Sequence, residues 1–146
     1  MIAFLVAAFA AAPFQIFQMT PHAAAVIDVR TLADLPNGQK RFELIAIFAD
    51  PTSFEGRAMR LSATPYTIDC VKGRLYYGVT TYKTAEGEVL VTDTEADHTG
   101  QWEAAPGGSM IGAARTWACT GATPDKLPAF GSLKDAETNY LRTLGH

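Results

Sequence analysis

Two cysteines, Cys70 and Cys119, follow a charge-free apolar start, and this pair constrains the fold more than any other feature. Cys70 ends a strand-like run, Thr67-Ile68-Asp69-Cys70, and Cys119 ends a helix-like run, Thr116-Trp117-Ala118-Cys119. In an exported chain, one even pair most simply forms one disulfide. Such a bond ties the end of a central strand to the last turn of a helix. Closing a loop of about fifty residues restrains the unfolded chain by about 4 kcal/mol in the chain-entropy treatment. The alternative is a pair of free buried thiols. No nearby Cys or His completes a zinc site, and no Cys-x-x-Cys suggests redox catalysis.

Residues 1–25 contain no Lys, Arg, Asp or Glu. Met1 to Pro13 are almost wholly apolar, and the segment reaches Ala23-Ala24-Ala25. Small residues three apart at the end of such a stretch suit signal peptidase, so residues 1–25 read as a signal peptide and the mature chain starts at Val26. The run is short for a membrane span, which needs about twenty apolar residues. A retained anchor and a buried N-terminal helix are the alternatives. No cysteine in this segment offers a site for a lipid. The compartment implied is periplasmic or secreted, with cell-surface display as a further option and no membrane association after signal cleavage.

The chain has 146 residues, 48% of them hydrophobic, and a net charge of −3. This fits one globular domain and argues against disorder. Mild acidity argues against nucleic acid, whose phosphates demand a positive field.

Alternation then dominates. Val26–Arg30 reads as a short strand, and Leu35-Pro36-Asn37-Gly38 as a turn. Arg41–Ala49 is the clearest strand. Phe42, Leu44, Ala46 and Phe48 share one face, and Ile45 and Ile47 the other, so it is expected to be central and covered on both sides. Asp50-Pro51 is expected to stop it. A third strand region starts at Glu55-Gly56, is interrupted by Pro65 and resumes through Cys70. After a turn at Lys72-Gly73, one alternating strand is expected from Arg74 to Lys83. Thr84-Ala85-Glu86-Gly87 forms a hairpin loop, and Val89–Thr92 returns antiparallel. Met110–Cys119 repeats at helical spacing, with Ser109 as N-cap and Gly121 as stop. Residues 121–131 link it to a second helix over Leu133–Leu144, capped by Ser132.

Candidate sites are few. Asp93-Thr94-Glu95-Ala96-Asp97-His98 offers carboxylates at alternate positions, but not the six to eight oxygens and sharp glycine turn of a calcium loop. It reads as a solvated loop. No Gly-x-Ser-x-Gly elbow accompanies His98. No catalytic residue, metal or cofactor is expected. Residues 57–83 carry Arg57, Arg60, Lys72, Arg74 and Lys83 against Asp69 alone, whereas residues 86–103 are purely acidic. Cross-strand charge balance is the plain reading, and a polarised binding surface the alternative. On the strand from Arg74 to Lys83, Arg74, Tyr76 and Tyr82 would share a face as protein-binding contacts. Trp102 and Trp117 read as packing residues.

The succession Tyr66-Thr67-Ile68-Asp69-Cys70, the Tyr76-to-Tyr82 strand, Glu86-Gly87, Trp102-Glu103, Pro106-Gly107-Gly108-Ser109 and Cys119 resembles the surface-adhesin protein E-like domain of Gram-negative bacteria. The resemblance runs from Val26 to Cys119. It implies a small antiparallel sheet with a packed helix fastened by a disulfide. It also implies a non-enzymatic role, since characterised members attach to host extracellular-matrix and serum proteins. Two departures stand out: the N-terminal lipid-modified cysteine is absent, and an extra glycine enters the Pro-Gly-Ser stretch.

The expected fold is α+β: an antiparallel meander of about five or six strands, with helices on one face, the second of them C-terminal. Residues 1–25 form the signal peptide, 26–120 the adhesin-like domain, and 121–146 a linker and helix. The expected function is extracytoplasmic binding of a matrix or envelope protein. A structural role in envelope assembly, through a sheet edge open to a partner strand, is the alternative.

Overall fold

The computed structural model describes residues 12–93, 101–104, 110–124 and 126–146. Alternating apolar residues form β1 (Phe14–Met19), β2 (Ala23–Asp28), β3 (Ala33–Leu35), β4 (Gln39–Phe54) and β5 (Arg57–Asp69). Next come β6 (Arg74–Tyr77), β7 (Thr80–Lys83), β8 (Val89–Asp93) and β9 (Glu103–Ala104). The helix α1 (Met110–Thr120), a short β10 (Ala129–Phe130) and the helix α2 (Leu133–Thr143) complete the described elements. All pairings are antiparallel. The sheet runs β10-β1-β2-β4-β5-β6-β9, with β3 beside β4 and β7 joining β5 to β8. The α+β class holds as an antiparallel sheet with two helices. The described sheet has ten strands rather than five or six, because several pairings are only two or three residues long.

Strands begin ahead of the boundary expected at Ala25. Ala23, Ala24 and Ala25 stand opposite Phe48, Ile47 and Ala46 of β4, and Ile16, Phe17, Ala24 and Ala25 are buried. The same lack of charge suits an export signal and a strand buried on both faces. The folded unit already includes Pro13, whose carbonyl accepts the Val29 N–H at 2.8 Å.

Nor does β4 end at Asp50-Pro51. Its register with β5 shifts between Ile47 and Thr52, and pairing resumes through Phe54. Arg60 donates to the carbonyls of Phe48 and Ala49 at 2.8 and 2.9 Å, satisfying backbone acceptors at the bulge. Pro65 does not interrupt β5 either. Its carbonyl accepts from Gly78 at 2.8 Å, in the gap between β6 and β7. The N–H that proline lacks would point toward that same gap, so no ladder bond is forfeited.

Alternation along β4 serves two cores. Phe42 and Leu44 join Phe17, Ile27, Ile68 and Leu75, with Ala114, Trp117 and Ala118 of α1. Ile45 and Ile47 join Ile16, Val26 and Leu61, with Ala136 and Tyr140 of α2. The helices thus serve opposite faces, which corrects the expectation of helices on one face. A strand apolar on both sides needs two covers. Trp117 packs edge-on to Phe17 and Phe42, with ring centroids 5.6 Å away in each case.

The helix ends follow their signals. Gly121, at φ +82°, donates to the Trp117 carbonyl at 2.7 Å and ends α1. Ser132 Oγ accepts the Asp135 N–H at 3.1 Å and starts α2. Ser109, expected to cap α1, lies outside the described residues. Cys70 and Cys119 form a disulfide with Cα atoms 5.7 Å apart. It ties the β5–β6 turn to the last turn of α1.

Candidate binding face

Beyond the reach of α2, its face of the sheet carries Arg74 and Tyr76. Across β4, β5 and β6, Arg41, Thr67 and Tyr76 stand directly opposite one another. In the next row, Asp69 faces Arg74. Trp102, one residue before β9, packs edge-on to Tyr76 with centroids 4.6 Å apart. The Arg74 guanidinium carbon lies 4.3 Å from the Trp102 ring centroid. Its Nε donates to Asp69 Oδ2 at 3.4 Å. Arg74 is therefore held between a ring face and a carboxylate.

Asp69 is fixed by more than Arg74. Its Oδ1 accepts the Val71 and Lys72 N–H groups, each at 3.0 Å, across the turn after β5. The Lys72 N–H does most to hold its carboxyl below the usual range. The Val71 N–H and Arg74 act in the same direction, and burial opposes them. The disulfide begins one residue later, at Cys70, so the covalent tie and this polar anchor share one turn.

Tyr82 does not join the set. Tyr76 stands opposite Thr67, whereas Tyr82 stands opposite Ser62. Thr67 and Ser62 are separated by an odd number of positions on β5, so they point to opposite faces. The break at Gly78–Val79 inserts the residue that shifts the register, and every later side chain changes face. The uninterrupted strand expected from Arg74 to Lys83 is corrected accordingly. Arg74 and Tyr76 remain together, and Tyr82 projects from the other face.

Trp117 is core, whereas Trp102, expected as a packing residue, is half-buried on this open face. Its flanking polar loop was the only hint. Arg57 of β5 makes an ion pair with Glu88, in the loop just before β8. Among the described residues, no three His, Cys, Asp or Glu side chains are placed to hold a metal ion. Glu95, Asp97 and His98 lie outside those residues. No described helix is long and apolar enough to cross a membrane. Chemically, the face offers a positioned cation, two aromatic rings and the Thr67 hydroxyl, which suits recognition. The chain matches no protein-family model, and no curated protein matches it.

Proposed function

We propose that this chain is a non-enzymatic extracytoplasmic module that binds a protein partner through the open face around Arg74, Tyr76 and Trp102. The observation that carries this reading is Arg74, held between the Trp102 ring and Asp69 at the surface. Arginine and large aromatic residues dominate interface anchors, and fixing them beforehand lowers the entropy lost on binding. The disulfide fits an oxidising compartment. An oxidising compartment supports the periplasmic or secreted assignment. The residues that resemble surface-adhesin protein E-like domains support a binding role toward matrix or envelope proteins.

The test is capture of purified matrix proteins and of envelope extract by the oxidised full chain. Salt-sensitive capture that falls about tenfold in Arg74→Ala/Trp102→Ala supports the reading. Tyr82→Ala, on the opposite face, should leave capture unchanged. Capture insensitive to the double substitution, or turnover of a small substrate without capture, overturns it.

A second reading, envelope assembly by strand addition, is favoured by β8. That strand pairs only with β7 among the described residues, and Val89 on it is exposed. Protection of β8 amides from hydrogen exchange on partner binding would select this reading.

A further inference from the structure

We propose that the groove beside Tyr76 receives a carboxylate side chain from an extended acidic segment of the protein partner; this rests on the binding role above and specifies its ligand chemistry. The groove encloses about 320 Å³ and is lined by Arg41, Pro65, Thr67, Tyr76, Gly78 and Val79. Liquid water occupies about 30 Å³ per molecule, so the space holds roughly ten waters, enough for one side chain and its flanking backbone.

Its charge is unmatched. Arg41 is exposed, and its side chain has no hydrogen-bond or ion-pair partner among the described residues. Arg74, on the same face, is already paired with Asp69. Glu43 lies on the same face of β4, two residues from Arg41, but does not line the groove and makes no ion pair with Arg41. The lining therefore carries one positive charge and no negative one.

The geometry also favours a carboxylate. Arg41 stands on β4 between β3 and β5, so its backbone is fixed on both sides. Arg41 and Tyr76 are two strands apart, roughly 10 Å. Between them lies Thr67, 4% exposed, with its side chain in the groove lining. A planar guanidinium binds a carboxylate through two parallel N–H···O bonds, and the Thr67 hydroxyl is a further donor. Pro65 and Val79 add apolar surface to the lining, which suits an aliphatic residue beside the acid. A strand-like ligand alternates its side chains, so one acid enters the groove while its neighbours lie along the rim.

The test is a titration of the oxidised full chain, followed by backbone amide NMR, with the capped peptide Ac-Leu-Glu-Leu-NH₂. The Gln counterpart and inorganic phosphate serve as comparison probes. The expected result is saturable shifts at Arg41, Thr67, Tyr76 and Val79. Affinity should fall about tenfold with the Gln peptide and by a similar factor in Arg41→Gln. Equal binding of the Glu and Gln peptides overturns the proposal, as does no shift in that set at millimolar peptide. Phosphate binding as tightly as the Glu peptide would assign a general anion site instead and overturn it too. If partner capture depends on Arg74 and Trp102 while these peptides leave the groove unmoved, the groove assignment fails and the binding role stands.

Discussion

Gly78 lies so close to the Pro65 ring that an added Cβ would sit 2.9 Å from Pro65 Cγ. The contact occurs at the break between β6 and β7, where the register shift separates Tyr76 from Tyr82. Gly78→Ala should therefore destabilise the fold by about 1–3 kcal/mol through overpacking. The urea midpoint should fall with an unchanged slope. Adding Pro65→Ala should recover most of the loss. If Gly78→Ala alone leaves the midpoint in place, the close approach does not constrain this break.

The N-terminal strands give a second expectation. A chain beginning at Val26 lacks β1 and half of β2, and with them Ile16, Phe17, Ala24 and Ala25. It also lacks Thr20, whose carbonyl accepts the Tyr140 hydroxyl at 2.8 Å and so ties α2 to the β1–β2 turn. That fragment should show no cooperative unfolding, whereas one beginning at Ala12 should unfold in a single step. The mass of protein recovered from cells should include Phe14. A cooperatively folded fragment starting at Val26 would restore the boundary at Ala25.

Much of this fold was legible where one residue pattern has one physical solution. Phe42, Leu44, Ile45 and Ile47 required a strand covered on both faces, and two cores meet there. Gly121, Ser132 and Gly87 marked a helix end, a helix start and a hairpin turn correctly. Patterns with two solutions misled. An uncharged apolar stretch serves secretion and a doubly buried strand equally well, and β1 and half of β2 lie in such a stretch. Asp50-Pro51 reads as a stop unless Arg60 is known to reach the bulge carbonyls. Tyr and Thr occupy both sides of the run from Arg74 to Lys83, so polarity could not reveal the change of face at Gly78–Val79. Arg74 and Tyr76 were legible as candidates. Trp102 and Arg41 join them only through pairings of β6 with β9 and of β4 with β5, which no local spacing encodes.

The disulfide should matter more to α1 than to the sheet. Cys70 and Cys119 are 49 residues apart, and joining them restrains the unfolded chain by about 4 kcal/mol in the chain-entropy treatment. Cys119→Ser should lower stability by up to that amount. Hydrogen exchange should rise most in Met110–Thr120, while β4 and β5 keep their ladder. Equal loss of protection in helix and sheet would show instead that α1 and the sheet open as one cooperative unit. Unchanged stability would mean that the bond restrains little in the unfolded chain.

Asp69 sets the acid limit of the turn that carries both the disulfide and the Arg74 anchor. Its carboxyl is held below the ordinary value by the Lys72 N–H first, then by the Val71 N–H and Arg74. A depressed carboxyl pKa stabilises the folded state above the unfolded value, about 3.9. That stability is lost as pH falls through the lower folded value. Asp69→Asn keeps an acceptor for the two N–H groups but removes the charge opposite Arg74. Wild type should therefore exceed the variant by a constant margin above about pH 5, and the margin should shrink below about pH 4. Denaturant midpoints measured across that range provide the check. Parallel profiles for the two proteins would mean that ionised Asp69 contributes nothing specific to the turn, and Arg74 would then be held by Trp102 alone.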